Sequence, residues 1–91
     1  ATMALEKPYA DIPGWPRSTA VGHAGNLAYG KIGEVSVAAL CGRAHLYEGY
    51  SPGRVTYAMR ILHMLGVKSV ILTNAAGGIN LEYGQGALVL I

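Results

Sequence analysis

The apolar positions in the first half of the chain predict a two-stranded hairpin. Residues 27–32 and 35–41 are apolar runs of strand length, and Gly33-Glu34 between them fits a short hairpin turn. Prolines and glycines interrupt residues 1–25, which predicts irregular structure there. The hairpin is therefore the first regular element that the sequence predicts.

A helix followed by a strand is predicted in the second half. Ser51 fits an N-cap and Pro52 fits the first helical turn, and apolar residues then recur at helical spacing over residues 55–65. Gly66 fits the end of that helix, and the β-branched run 67–72 is typical of a buried parallel strand. Strand, helix and strand in this order predict a right-handed parallel crossover, which places two strand ends side by side and brings Arg43 and His45 towards Ala75.

Composition indicates a core-rich chain rather than a disordered one. Of the 91 residues, 52% are apolar and only 13% are charged. The net charge of +2 comes from scattered lysines and arginines without a basic block, which argues against nucleic acid as a partner. The single cysteine, Cys41, excludes an internal disulfide and is typical of a reducing compartment such as the cytoplasm. The sequence contains no apolar run long enough to predict a membrane span.

Small residues follow the run 67–72 and form the first candidate site. The run ends in Thr73-Asn74 and then in Ala75-Ala76-Gly77-Gly78, which would let a ligand approach backbone N–H groups. Exposed N–H groups in such a loop favour an anion. A tight turn without any ligand would have the same sequence, so the loop alone leaves both interpretations open.

Arg43, His45 and Tyr47 form the second candidate site. They alternate after the second hairpin strand, so an extended backbone would place all three side chains on one face. Arginine donates bidentate hydrogen bonds to phosphate-like anions, histidine adds a donor near neutral pH, and a tyrosine ring suits a sugar. Taken singly, each has an ordinary structural explanation, but the three together beside glycines favour a site.

Two other kinds of site are rejected from the sequence. Residues 25–31 match the glycine and lysine frame of a nucleotide P-loop, but Ile32 stands where the metal-binding Ser or Thr belongs. A strand pattern follows, where a P-loop would be followed by a helix. One cysteine and three dispersed histidines do not have the spacing of a metal-ligand set, so no metal site is predicted.

Three motifs occur in a fixed order: STAVGHAG at residues 18–25, GRAHLYEGY at 42–50 and TNAAGG at 73–78. In that order they closely resemble the trimeric purine nucleoside phosphorylases, and the resemblance covers essentially the whole chain from about Asp11. It implies an α/β fold, a fragment of the phosphorylase fold with a mixed sheet flanked by helices. It also implies that residues 1–91 are a partial nucleoside phosphorylase domain, the N-terminal phosphate-side portion, incomplete at both ends.

The resemblance also implies an activity. Family members are pentosyltransferases that cleave purine ribonucleosides and deoxyribonucleosides with inorganic phosphate, giving free base and (deoxy)ribose 1-phosphate in purine salvage. Phosphate is a co-substrate, and no metal or organic cofactor is implied. A neighbouring subunit completes each site in the family, which implies a homotrimer for the full-length protein. The 91 residues alone are expected to bind phosphate weakly and to be inactive, because the purine-binding residues lie outside them.

The matched motifs assign residue roles by resemblance. Arg43 and His45 match a phosphate-binding arginine and histidine, and Ala75 matches a position whose backbone N–H meets phosphate. His23 matches a histidine on a mobile loop near phosphate, and Tyr47 matches a tyrosine that lines the sugar site.

Three further positions are judged differently. Asn74 is a weaker candidate that shapes the loop or touches ligand. Glu48 is expected to form a structural ion pair or cap rather than to act directly in catalysis. Ala44 stands where family members usually have an aromatic residue, and its side chain is expected to face the packed side.

Related activities share the same implied phosphate site. These residues also fit a methylthioadenosine or xanthosine phosphorylase of the same family, or a non-catalytic anion-binding fragment. The Tyr47-Glu48-Gly49 pattern and the loop at 73–78 favour the purine nucleoside branch over the methylthioadenosine branch. Base specificity is not determined by the motifs present.

Overall fold

The computed structural model describes residues 2–19 and 24–91. Its strands are β1 (Thr2–Pro8), β2 (Asn26–Ile32) and β3 (Val35–Cys41). Its helices are α1 (Pro52–Val55) and α2 (Tyr57–Met64), and single 3-10 turns cover Tyr9–Asp11 and Leu46–Glu48. No helix in the described part of the chain is long and apolar enough to cross a membrane.

The predicted hairpin is confirmed. Strands β2 and β3 pair antiparallel from Asn26↔Cys41 to Ile32↔Val35, and Gly33 takes a positive φ of 59° in the turn. Glycine adopts this left-handed conformation without the steric cost that a Cβ would add. The hairpin ends at Cys41, and it therefore delivers Gly42 and Arg43 at the edge of the sheet.

The prediction of irregular structure over residues 1–25 is wrong for β1. This strand pairs antiparallel with β2, from Thr2↔Lys31 to Pro8↔Asn26, giving the strand order β1-β2-β3. The segment lacks valine and isoleucine, so its strand character comes from pairing with β2 rather than from local propensity. Pro8 is tolerated because it lies at the end of an edge strand.

The predicted helix is confirmed but divided. The Ser51 hydroxyl accepts a hydrogen bond from the Arg54 N–H at 3.3 Å, as an N-cap does, and Gly66 follows the helix with a φ of 87°. A break at Thr56 separates α1 from α2. The predicted apolar stripe is only partly buried: Leu62 is buried, whereas Leu65 is 67% exposed. Its half-buried members are Val55, Ala58 and Met59.

The predicted strand at residues 67–72 does not form. The structure assigns no strand after β3, and no backbone hydrogen bond among the described residues ties residues 68–79 to another strand. A strand needs a neighbour to satisfy its N–H and C=O groups, and β3 does not supply one. Ile71 is accordingly 89% exposed. The sheet and helices agree with an α/β phosphorylase-fold fragment, but the parallel crossover is absent from the described residues.

An aromatic cluster connects the sheet to the helices. The Tyr9 and Trp15 rings stack with centroids 4.9 Å apart, and Trp15 meets Tyr57 of α2 edge-on at 5.9 Å. The Tyr57 hydroxyl also donates to the Pro13 carbonyl at 2.8 Å. The buried apolar residues of the described chain are Tyr9, Trp15, Pro16, Ala28, Ala44 and Leu62. This small core holds the loop that precedes residues 17–19 against α2.

Gly14 is required where this loop meets α2. Its φ is 76°, and a Cβ at this position would lie 3.1 Å from the Tyr57 hydroxyl oxygen. We expect Gly14→Ala to lower the free energy of unfolding by about 1–3 kcal/mol, because it adds backbone strain and a close contact. Denaturant titration of the purified protein measures this loss.

Gly53 provides the matched control. It lies in α1 without a positive φ, and a Cβ there would meet no atom within 4 Å. Gly53→Ala is expected to be neutral or to stabilise by about 0.5–1 kcal/mol, since alanine favours helix. Equal effects of the two substitutions would contradict the assignment of Gly14 as a constrained position.

Candidate functional site

The backbone around Arg43 is held from both sides. Gly42, directly after β3, has a φ of 106°, which turns the chain out of the strand. The Tyr9 hydroxyl donates to the Gly42 carbonyl at 2.6 Å, and the Ser18 hydroxyl donates to the Arg43 carbonyl at 3.0 Å. Burial, followed by the nearby Cys41, raises the pKa of Tyr9 from 10.0 to about 12, so its hydroxyl remains a donor at neutral pH.

The Arg43 side chain reaches the loop of small residues. Its Nη1 donates to the Thr73 carbonyl at 2.7 Å, although the two residues are 30 positions apart. The predicted meeting of Arg43 with this loop is therefore observed without the parallel strand that was expected to cause it. A guanidinium has five N–H donors, and the Thr73 contact uses one Nη1–H. Asn74 and Ala75 follow Thr73 directly, and both are exposed.

His45, Tyr47 and Glu48 are grouped by a 3-10 turn. The exposed Arg43 and the buried Ala44 show the expected alternation, and Ala44 faces the packed side as predicted. The extended conformation ends at His45. The expected alternation therefore does not determine where the Tyr47 side chain lies. The turn instead stacks the Tyr47 ring on the His45 ring, with centroids 4.6 Å apart and planes 21° apart.

The Glu48 carboxylate is the acceptor that organises this turn. Its Oε2 accepts the His45 backbone N–H at 2.6 Å and pairs with His45 Nδ1 at 2.9 Å. Its Oε1 accepts the Thr19 backbone N–H at 2.7 Å and the Thr19 hydroxyl at 2.5 Å. The cap expected for Glu48 is present, because its carboxylate accepts the His45 backbone N–H and pairs with the His45 ring.

These hydrogen bonds lower the pKa of the Glu48 carboxyl group. The Thr19 hydroxyl and the Thr19 N–H, followed by His45, lower the pKa of Glu48 from 4.5 to about 2. Glu48 is therefore an ionised carboxylate at neutral pH, and an ionised carboxylate only accepts hydrogen bonds. Because Glu48 cannot donate, the proton in the Nδ1 contact belongs to His45, which fixes both the orientation of the ring and its tautomer.

The structure brings most of the sequence-predicted residues to one end of β3. Arg43 contacts the loop at Thr73, and His45 lies between Tyr47 and Glu48. His23 lies outside the described residues. The ligand-binding roles of these residues and of Asn74 and Ala75 stay predictions.

Sequence reasoning missed three residues that support the site: Tyr9, Ser18 and Thr19. Each contacts a residue 25 or more positions away along the chain. No local pattern marks Tyr9. Ser18 and Thr19 are the first two residues of the first of the three motifs. Their place in that motif was the only signal in the sequence.

The grouped side chains suit an oxyanion more than a metal ion. The Arg43 guanidinium contacts the start of a loop of small, exposed residues, and the His45 imidazole lies two residues further along the chain from Arg43. Within residues 2–19 and 24–91, no three His, Cys, Asp or Glu side chains are grouped to hold a metal ion.

The chain is similar in sequence to known phosphorylases. The family described as the phosphorylase superfamily matches residues 1–91. Purine nucleoside phosphorylase 1 of Geobacillus stearothermophilus is 48% identical over 89 residues, which cover 98% of this chain and 32% of that protein. Purine nucleoside phosphorylase 1 of Bacillus subtilis (strain 168) is 52% identical over 83 residues, covering 91% of this chain and 31% of that protein.

A solved structure is also similar. A crystal structure of Schistosoma mansoni purine nucleoside phosphorylase matches with a TM-score of 0.76 at 42% identity, covering 86% of this chain and 29% of that chain. The resemblance to purine nucleoside phosphorylases is thereby confirmed. The chain spans less than a third of the length of each of these proteins.

Proposed function

This chain belongs to the phosphorylase superfamily, and from that premise we propose that it forms the phosphate-binding side of a purine nucleoside phosphorylase. The complete protein would cleave purine ribonucleosides and deoxyribonucleosides with inorganic phosphate, without a metal or organic cofactor. It would act in purine salvage as a cytoplasmic homotrimer. The observation that carries the proposal is the Arg43 guanidinium, which contacts the Thr73 carbonyl at the start of the small-residue loop.

The proposed roles follow from the charges of the side chains. Arg43 and His45 bind the phosphate oxygens together with the Ala75 N–H, and His23 adds a contact from its loop. The Tyr47 ring, already stacked on His45, lines the sugar. Asn74 shapes the loop or touches the ligand. These groups position an anion beside the anomeric carbon, and positioning of this kind accelerates a reaction by removing the entropy cost of the encounter.

The reaction is a displacement at the anomeric carbon of the sugar. A phosphate oxygen forms a bond to that carbon while the bond to the purine nitrogen breaks, and the bonding electron pair leaves with the base, which then takes a proton. Positive charge develops on the sugar in between. The phosphate anion held by Arg43 stabilises that charge, so that electrostatic preorganisation supplies a large part of the rate.

The test is phosphate-dependent cleavage of inosine by the complete polypeptide that carries these 91 residues. Release of hypoxanthine that requires phosphate, with formation of ribose 1-phosphate, is the expected result. Xanthosine and methylthioadenosine are assayed in parallel, and cleavage of only one of these would replace the substrate while keeping the reaction. Hydrolysis that proceeds equally well without phosphate, or no cleavage of any nucleoside, would contradict the proposal.

A further inference from the structure

We propose that Thr19 is a positioning residue for the phosphate site: its hydroxyl and backbone N–H hold the Glu48 carboxylate in the orientation that fixes the His45 ring. This inference rests on the proposed function for its link to phosphate, but not for the contacts themselves. Thr19 belongs to neither of the two candidate sites found in the sequence. It reaches Glu48 from 29 positions away along the chain.

The connection from Thr19 to His45 runs through both carboxylate oxygens of Glu48. The Thr19 hydroxyl and N–H occupy Oε1, at 2.5 and 2.7 Å, while His45 occupies Oε2 through its N–H and Nδ1. A carboxylate held at one oxygen alone rotates about its final bond. Because Thr19 holds the opposite oxygen with two donors, the plane of the carboxylate is set, and Oε2 is aimed at His45.

Thr19 is itself presented from a fixed segment. The Ser18 hydroxyl donates to the Arg43 carbonyl at 3.0 Å, and the Tyr50 hydroxyl donates to the Arg17 carbonyl at 2.8 Å. Three consecutive residues, 17–19, therefore each contact the segment that carries Arg43 and His45. This repeated attachment makes the Thr19 contact part of the support of the site.

A rotation of the Glu48 carboxylate would affect two candidate ligand groups, His45 and Tyr47. The His45 ring is stacked on Tyr47 and bonded through Nδ1 to Glu48, so a rotation of the carboxylate disturbs both contacts. Groups that orient a ligating histidine commonly decide how well that histidine binds, without touching the ligand themselves. Loss of the Thr19 hydroxyl should therefore weaken phosphate binding more than it slows the chemical step.

The test compares Thr19→Val, which removes the hydroxyl at nearly constant shape, with Thr19→Ser, which keeps it. In the complete polypeptide, Thr19→Val is expected to raise KM for phosphate about tenfold with a smaller change in kcat. Thr19→Ser should restore most of the loss. Thr56→Val is the matched control, because the Thr56 hydroxyl also donates a hydrogen bond, but to the backbone carbonyl of Pro52 at 2.9 Å in the helical part of the chain.

A spectroscopic readout separates this inference from the proposed function. Nitrogen-15 NMR of the His45 ring reports its Nδ1–H directly, and the Nδ1 signal should shift or broaden in Thr19→Val but not in Thr56→Val. If the wild type cleaves no nucleoside, the proposed function fails and this readout still decides the positioning role. Thr19→Ala repeats both measurements should the valine disturb the fold.

Two results would overturn the inference. One is a Thr19→Val protein whose KM for phosphate and His45 ring signals match those of the wild type. The other is a fall in kcat at unchanged KM that Thr19→Ser does not rescue, since a merely structural loss behaves in that way.

Discussion

Arg43→Ala is expected to lower kcat/KM for phosphate by roughly 10²–10³-fold in the complete polypeptide, if it acts as proposed. Losses of this size are usual when one preorganised hydrogen-bond donor is removed from a catalytic site. Arg43 is suited to this role because Gly42 and Ser18 fix its backbone while its exposed guanidinium reaches the loop at Thr73. Alanine removes every N–H of the fork. Steady-state phosphorolysis of inosine at varied phosphate concentration measures the effect.

Two further variants make this prediction specific. Arg43→Lys keeps a positive charge but loses the planar fork, so an intermediate loss is expected. Arg60→Ala is the control, because Arg60 is an exposed arginine on α2. An Arg43→Ala protein with wild-type dependence on phosphate would show that Arg43 is not part of the site. An equal loss in Arg60→Ala would point to a general effect of charge rather than to a contact.

The elements that the sequence predicted correctly carry local signals. The Gly33 turn and the Ser51 cap each arise from residues within a few positions, and both are present. Strand β1 was missed because its pairing with β2 lies far along the chain and its own residues favour no element. The Tyr9–Trp15–Tyr57 cluster was missed for the same reason. Contacts of this kind depend on the assembled fold, which local propensity does not contain.

In the candidate site, too, some features were predictable from local sequence and others were not. The alternation of Arg43 and Ala44 was predictable from the backbone period, whereas the 3-10 turn that stacks Tyr47 on His45 was not. A parallel crossover was expected to bring Arg43 and His45 towards Ala75. Arg43 does reach this loop, at Thr73, although residues 67–72 form no strand. Arg43 can therefore reach this loop whether or not residues 67–72 form a strand. The predicted proximity was right although the predicted strand was wrong.

Glu48→Gln is expected to produce the second large effect, on stability in acid and on phosphate binding. An amide presents one oxygen and one NH₂ group, so either the Thr19 donors or the His45 donors then face another donor. The KM for phosphate should rise at least tenfold.

In the wild type, the pKa of Glu48 falls from 4.5 to about 2 on folding, so the carboxylate stabilises the fold fully above pH 4.5. That stabilisation declines as the pH drops from 4.5 towards 2.

Denaturant titrations of wild type and Glu48→Gln over this pH range measure the effect. The gap between their free energies of unfolding should be constant near neutral pH and close progressively below pH 4.5. Glu34→Gln is the control, since Glu34 is exposed in the hairpin turn and contributes no bond to the site. A gap that stays constant down to pH 2 would show that the Thr19 and His45 donors do not hold Glu48 ionised. The acid dependence would then have to come from other carboxylates.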